Sequence, residues 1–302
     1  MSNKTLTLGQ AAAWCGGQIA PGLEERPFFG ANFDSRLIRP GELFAALPGA
    51  RDGHDFAASA LERGAAAVLA SRPVDGPAIY VEDTSRALRD IARGYRESLP
   101  CRCVGITGSV GKTTTKEMIG AVLRTALRTQ WTEKNYNNEI GLPVSVLRLK
   151  PDCEAAVLEM GMNHFGELSV LTRIAQPDLA VITNIGTMHI ENLGSREGIL
   201  RAKLEILEGL RPGGRVIFNG DDALLRPLAA RYHAVCFGLS EGCDVRASRV
   251  QETAEDSKFT VHAFGKSFEA ALSVPGLHNV LDALAAAAVG LLLGLSPEQI
   301  AE

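Results

Sequence analysis

The feature that most constrains this chain is the stretch Cys103-Val-Gly-Ile-Thr-Gly-Ser-Val-Gly-Lys-Thr-Thr-Thr115. A β-branched run reads as a buried strand, breaks into a glycine-containing loop, and Lys112-Thr113 opens a helical pattern. Glycines let backbone N–H groups close around phosphate oxygens, and the N-terminus of the following helix adds its positive dipole end. Gly108, Ser109, Val110, Gly111, Lys112, Thr113 and Thr114 are therefore expected to hold a nucleoside triphosphate. Lys112 reaches its terminal phosphates and the Thr113 hydroxyl ligates magnesium. Only Ser109 and Val110 separate Gly108 from Gly111, two residues fewer than the common form of such loops. A ligand-free glycine turn is the bland alternative.

A strand feeding a phosphate loop implies a parallel α/β sheet, and the rest of the chain supports one. Apolar runs at 104–107, 155–160, 179–185, 215–218 and 234–237 alternate with helical patterns at 113–128, 167–175 and 197–210. Residues 244–274 read as antiparallel hairpins, and an Ala/Leu-rich helix starts near His278. Before Pro100 a smaller α/β unit is expected, with strands at 43–47, 65–69 and 78–81 and helices at 56–63 and 85–97. The expected architecture is thus α/β, with a small N-terminal α/β domain at 1–100. A parallel-sheet ATPase domain carrying the loop and an antiparallel hairpin region follows at 101–302.

Of the 302 residues 46% are hydrophobic and 22% charged, an ordinary globular balance. The net charge of -4 argues against general nucleic-acid binding. Six cysteines lack the paired spacing of a zinc site and read as reduced thiols. No charged start followed by an apolar core marks an export signal. The apolar stretch at 283–295 is too short to span a bilayer. A cytoplasmic protein with no membrane insertion is expected.

In an open parallel sheet, ligands sit beyond the carboxyl ends of the strands. Glu159 ends the second apolar run of this region, and Asn184 and His189 follow the third. Each has a plain reading as a cap, a solvent-facing group or a loop histidine. Lys203 is sharper, because helical spacing places it among Ile199, Ile206, Leu207 and Leu210 on one apolar face. Either its ammonium snorkels to water, or it is buried with a lowered pKa. A neutral amine can take up carbon dioxide as a carbamate, whose oxygens suit magnesium. The amide-rich Asn135-Tyr-Asn137-Asn138 suits contacts to sugar or phosphate oxygens, and Asn279 suits an adenine edge. Both also pass as turn and cap chemistry.

Several segments together resemble the Mur ligase family, the ATP-dependent amino-acid ligases of peptidoglycan synthesis. They are Thr-Gly-Ser-Val-Gly-Lys-Thr-Thr, Asn-Tyr-Asn-Asn-Glu-Ile-Gly-Leu-Pro, Thr-Asn-Ile-x-x-x-His, Ala-Lys-x-Glu-Ile and His-Asn. Asp34-Ser35-Arg36, Pro40-Gly-Glu-Leu-Phe44 and Asp52-Gly-His-Asp-Phe56 match in the N-terminal unit. Leu-Glu-Met-Gly-Met-Asn-His-Phe-Gly-Glu is similar to the segment of the member that adds D-alanyl-D-alanine to UDP-N-acetylmuramoyl-tripeptide.

The resemblance implies ATP and magnesium as cofactors and those two molecules as substrates, with an acyl phosphate between them, in a monomer. It implies that Lys112, Lys203, His189 and Glu159 are catalytic and that Thr113, Glu159, His189 and carbamylated Lys203 hold magnesium. Asn279 would contact adenine, and Ser35, Arg36, Asn137 and Asn138 the UDP-sugar. Two departures stand out. Asp282 sits where the family commonly has Asn. A third, amine-binding domain of the family has no counterpart by residue 302, so nucleotide binding with little or no ligation is expected. A nucleotide-binding module without catalysis, or another Mur-type ligase such as a folylpolyglutamate synthase, are the competing readings.

Overall fold

The computed structural model describes residues 6–302, so the first five positions, scanned for an export signal, lie outside it. The chain forms two compact units. One comprises the chain up to Pro100 together with Glu133–Cys153, the other Cys101–Thr132 together with Glu154–Glu302.

The first unit carries a five-stranded sheet of β1 (Gln18–Ile19), β2 (Ala31–Asn32), β3 (Leu43–Ala45), β4 (Ala67–Ala70) and β5 (Ala78–Tyr80). Its order is β1-β5-β4-β3-β2, parallel except where β1 joins antiparallel. Every residue of β3 and β4 is buried, as parallel strands covered on both faces require. Helix α1 (Thr84–Ser98) is started by Asp83, whose carboxylate accepts from Ser85 N and Arg86 N. It buries Ala87, Leu88, Ile91, Ala92 and Tyr95 at helical spacing. The segment Glu133–Cys153 is fastened here by side chains. Arg148 Nη2 meets Glu42 Oε1 at 3.2 Å, Arg89 Nη1 meets Glu139 Oε2 at 2.8 Å, and Tyr95 donates to the Leu149 carbonyl.

The second unit is built on nine strands: β6 (Arg102–Thr107), β7 (Thr129–Trp131), β8 (Ala155–Glu159), β9 (Leu179–Ile182), β10 (Arg215–Asn219), β11 (Val235–Gly238), β12 (Val245–Glu252), β13 (Ser257–Ala263) and β14 (Lys266–Leu272). The order is β14-β13-β12-β11-β10-β9-β6-β8-β7. From β12 to β7 every pairing is parallel, and β13 and β14 extend the sheet antiparallel. The expected mixed α/β architecture with a hairpin region is therefore what forms.

Helices α2 (Lys112–Arg124), α3 (Glu167–Ala175), α4 (Arg196–Leu204) and α5 (Leu277–Leu292) accompany the sheet. Ile119 and Leu123 of α2 and the Ala-rich run 285–288 of α5 share one core with Val104, Ile106, Val157 and Val181 of the strands. The strand expected over 179–185 stops at Ile182: the Thr183 N–H still donates to the Thr107 carbonyl at 3.0 Å, while its hydroxyl and the Asn184 amide turn to the loop described below. The helix expected over 197–210 is α4 followed by a 3-10 turn, Glu205–Gly209. Among the described residues no helix is long and apolar enough to cross a membrane.

Candidate functional site

β6 lies between β8 and β9, so its carboxyl end opens where the sheet order reverses direction. Gly108–Gly111 follow immediately, and Gly111, with φ of 82°, caps α2 in the left-handed region. The exit of β9 shapes this loop. Ser109 N donates to Asn184 O at 3.1 Å and Val110 N to Asn184 Oδ1 at 3.0 Å. The Val110 carbonyl accepts from Asn184 Nδ2 at 2.9 Å and from Thr183 Oγ1 at 2.8 Å. Gly186 N donates to Ser109 Oγ at 2.9 Å. A Cβ on Gly108 would overlap Thr183 Oγ1, so the close approach of the two segments demands glycine there.

The N–H groups of Gly111, Lys112, Thr113 and Thr114 donate to no other group among the described residues. Four unpaired donors at the start of a thirteen-residue helix form an anion site. Lys112 Nζ folds back onto the Gly108 carbonyl at 2.8 Å and the Ser109 carbonyl at 3.3 Å. Burial lowers its pKa, and the Glu159 charge opposes that shift.

Thr113 Oγ1 donates to Glu159 Oε2 at 3.0 Å, which joins two of the expected site residues directly. Glu159 ends β8 and is 2% exposed. Its backbone N–H donates to Thr132 Oγ1 at 3.0 Å. Lys116, equally buried, places Nζ 2.9 Å from the Thr132 carbonyl, 3.0 Å from Glu117 Oε1 and 3.9 Å from Glu159 Oε2. Lys116 and Thr132 are not among the expected site residues, and Thr183 enters there only within the segment Thr-Asn-Ile-x-x-x-His. Lys116 follows Lys112 by one turn, which signals a shared face, but lysine is ordinarily a surface residue.

Lys203, on α4, is 2% exposed, so it does not snorkel. Burial and then the charge of Lys112 lower its pKa to about 7. It makes no hydrogen bond or ion pair among the described residues. His189 takes φ of 63° at the start of the short helix Ile190–Leu193, and its ring likewise makes no hydrogen bond or ion pair there. No group of three or more His, Cys, Asp or Glu side chains suited to a metal occurs among the described residues. The Glu159 carboxylate and Thr113 hydroxyl are hard oxygen donors that fit magnesium. An ammonium at Lys203 does not fit; a carbamate there does.

At the start of α5, Asn279 Nδ2 donates to the Pro275 carbonyl at 2.6 Å, leaving its Oδ1 and second amide hydrogen for a ligand. Asp282 Oδ1 lies 2.6 Å from Thr115 Oγ1, so its carboxyl is directed at α2.

In the first unit, Ser35 is buried at the head of the turn Ser35–Leu37, which Asp34 caps. Arg36, 78% exposed, forms a two-pronged pair with Asp34 at 2.9 and 2.7 Å. Asn138 Oδ1 accepts from Ile140 N at 3.2 Å and Gly141 N at 2.8 Å, opening the helix Gly141–Leu147. The Asn137 backbone N–H bonds Asn135 O at 2.8 Å. The Phe33 and Tyr136 rings pack at 6.2 Å, beside the Ser35 turn and the Asn137–Asn138 pair in sequence. The two segments expected to hold a UDP-sugar therefore belong to one unit.

Comparison with known proteins matches residues 106–290 to the Mur ligase middle domain and residues 30–96 to the Mur ligase family catalytic domain. The chain is 43% identical over 288 residues to a UDP-N-acetylmuramoyl-tripeptide–D-alanyl-D-alanine ligase of Bacillus subtilis, covering 93% of this chain and 62% of that protein. It is 38% identical over 274 residues to its Escherichia coli namesake, covering 88% and 61%. The chain thus spans less than two thirds of the length of these relatives. MurF from Acinetobacter baumannii superposes with a TM-score of 0.89 at 34% identity, covering 100% of this chain and 67% of that one. MurF from Thermotoga maritima, solved in complex with ADP, gives 0.81 at 33% identity, covering 91% and 66%. This chain belongs to the Mur ligase family.

Proposed function

We propose that this chain carries the nucleotide-binding and UDP-sugar-binding parts of an ATP-dependent ligase of peptidoglycan precursor synthesis, acting in the cytoplasm. The substrates are UDP-N-acetylmuramoyl-tripeptide and D-alanyl-D-alanine, the pair for which the relatives are named. The observation that carries the reading is the arrangement behind the amide-lined loop. A simple phosphate site needs Lys112; it has no use for a second buried lysine whose pKa falls to about 7 beside it.

In this reading the free N–H groups at 111–114 and Lys112 bind the ATP phosphates and offset charge as it develops in transfer. The terminal carboxylate of the tripeptide takes the γ-phosphoryl group, and the D-alanyl-D-alanine amine then displaces phosphate to form the peptide bond. The neutral Lys203 amine adds carbon dioxide, releasing one proton and leaving a carbamate whose negative charge relieves its repulsion with Lys112. Magnesium, held by Thr113, Glu159, His189 and that carbamate, supplies Lewis-acid polarisation of phosphoryl oxygens when bound. Asn279 contacts adenine. Ser35, Arg36, Asn137 and Asn138 hold the UDP-sugar in the first unit.

Calorimetry on the purified chain tests this. ATP affinity should fall by about a hundredfold or more in Lys112→Ala and persist in Lys203→Ala, and UDP-N-acetylmuramoyl-tripeptide binding should fall in Asn138→Ala. Intact mass in bicarbonate buffer should rise by one carbon dioxide, and only when Lys203 is present. A chain that binds ATP but neither the tripeptide nor carbon dioxide overturns the ligase reading.

A further inference from the structure

Thr115 holds one hydroxyl hydrogen between two oxygens. Its Oγ1 lies 2.9 Å from the Gly111 carbonyl and 2.6 Å from Asp282 Oδ1. Thr115 is fully buried, and Asp282 is 8% exposed. If the carboxyl is ionised, it captures that hydrogen, and Thr115 Oγ1 then faces the Gly111 oxygen with no proton between them. A buried oxygen pair without a proton is costly. If the carboxyl is protonated, it donates to Thr115 Oγ1, the Thr115 hydroxyl donates to Gly111, and both short contacts are satisfied at once.

We propose that Asp282 is a positioning residue for the phosphate loop, held as a neutral carboxylic acid that donates to Thr115 and thereby fixes Gly111. Ionising it removes the clamp and sets a negative charge against the loop. The approach is close: a Cβ on Gly111 would stand 3.1 Å from Asp282 Oδ1. Repulsion of a bound polyphosphate follows.

The surroundings agree. Burial strengthens the hold of Asp282 on its proton, while the Thr115 contact and the His278 charge act in the opposite direction. His278, one turn earlier on α5, is the charged group whose field reaches it. From α2, packed against α5, Lys112 and Lys116 direct their ammonium groups to the Gly108, Ser109 and Thr132 carbonyls instead. The neighbouring strands carry Arg215 of β10, Cys236 of β11, Arg246, Arg249 and Glu252 of β12, and Lys258 and His262 of β13, and Glu298 lies beyond α5. An amide at this position would make the same donation without a proton to lose, which explains how Asp replaces Asn here with the loop intact.

The proposal rests on the nucleotide reading above, and the test separates the two. Binding of ADP with magnesium is measured for the wild-type chain and for Asp282→Asn from about pH 5.5 to about pH 8.5. Taking the ratio of the two cancels every pH effect that both proteins share, that of the nucleotide included. Equal affinity at the acid end, with wild type weakening about tenfold relative to the amide variant at the alkaline end, is the expected result. A ratio constant across pH, or a variant weaker throughout, overturns the proposal. Carbon-13 NMR of the Asp282 carboxyl in wild type reads the proton directly. A carboxyl that is neutral at about pH 5.5 and loses its proton before about pH 8.5 supports it, and one ionised at every pH in that range overturns it whether or not the variant folds. If wild type binds no ADP at any pH, the nucleotide reading fails, and the carbon-13 titration alone decides on Asp282.

Discussion

The two sides of the candidate site are built on opposite principles. On the loop side, the exit of β9 satisfies Ser109 and Val110 through Thr183, Asn184 and Gly186, so the loop backbone is set before any ligand arrives. By contrast, Lys203 and His189 make no hydrogen bond or ion pair among the described residues, and Lys203 suffers both burial and a like charge. A shape is settled in the first region; in the second an electrostatic debt is left open for chemistry to close. Preorganisation and stored unfavourable charge are separable contributions to a site, and this unit keeps them on different side chains.

The sharpest way to break that comparison is Lys112→Ala. If the loop is only scaffold until its lysine meets phosphate, ATP affinity falls by about a hundredfold or more while the thermal midpoint barely moves, as calorimetry and melting would show. A large loss of stability would instead make Lys112 part of the scaffold.

Lys203→Met probes the other side. Its folded pKa of about 7 lies below the ordinary lysine value of 10.5, so the native state binds that proton more weakly than the unfolded state. Below about pH 7 both states carry the proton and the destabilisation is complete. As pH rises from about 7 to about 10.5 the native amine is already neutral, and the destabilisation is progressively relieved. The methionine variant should therefore be more stable than wild type at pH 6, by about 2 kcal/mol, with the gap closing toward pH 10 in urea titrations. Added bicarbonate should close part of the gap at pH 8. A variant no more stable at pH 6 would show that Lys203 bears no such cost.

Asn184→Ala removes both side-chain bonds to Val110. About 1–2 kcal/mol of stability and about tenfold in ATP affinity should be lost, together and by the same cause. The smallest effect belongs to the first unit. Arg36 is largely exposed and paired with Asp34 on the surface, so Arg36→Ala should leave the melting temperature unchanged. Affinity for UDP-N-acetylmuramoyl-tripeptide should fall several-fold.

The sequence makes the long parallel strands legible because their runs are apolar throughout, and the loop legible because its residue types are dictated by phosphate chemistry. Thr129–Trp131 is not legible, since three residues are too few to show a period, and neither are Gln18–Ile19 and Ala31–Asn32. Glu159 and Lys203 stand out through their places at a strand end and within an apolar face. Lys116 and Thr132 do not, because their significance is tertiary: a lysine reads as solvated until the carbonyl and carboxylates around it are located. Asn184 was legible as a polar residue after a strand, yet its amide serves Val110. Composition cannot distinguish a group that binds a ligand from one that binds the loop binding it.

The segment Glu133–Cys153 leaves the second unit and completes the first. This layout carries a consequence in time. As the ribosome delivers the chain, the Arg148 contact to Glu42 and the Leu149 carbonyl that accepts from Tyr95 are missing from the first unit until residues 148 and 149 have emerged. By then the phosphate loop and all of α2 are already outside. The N-terminal unit, although its strands are made first, cannot finish folding before the start of its neighbour has been synthesised. A chain cut at Pro100 is therefore not a small domain but an interrupted one.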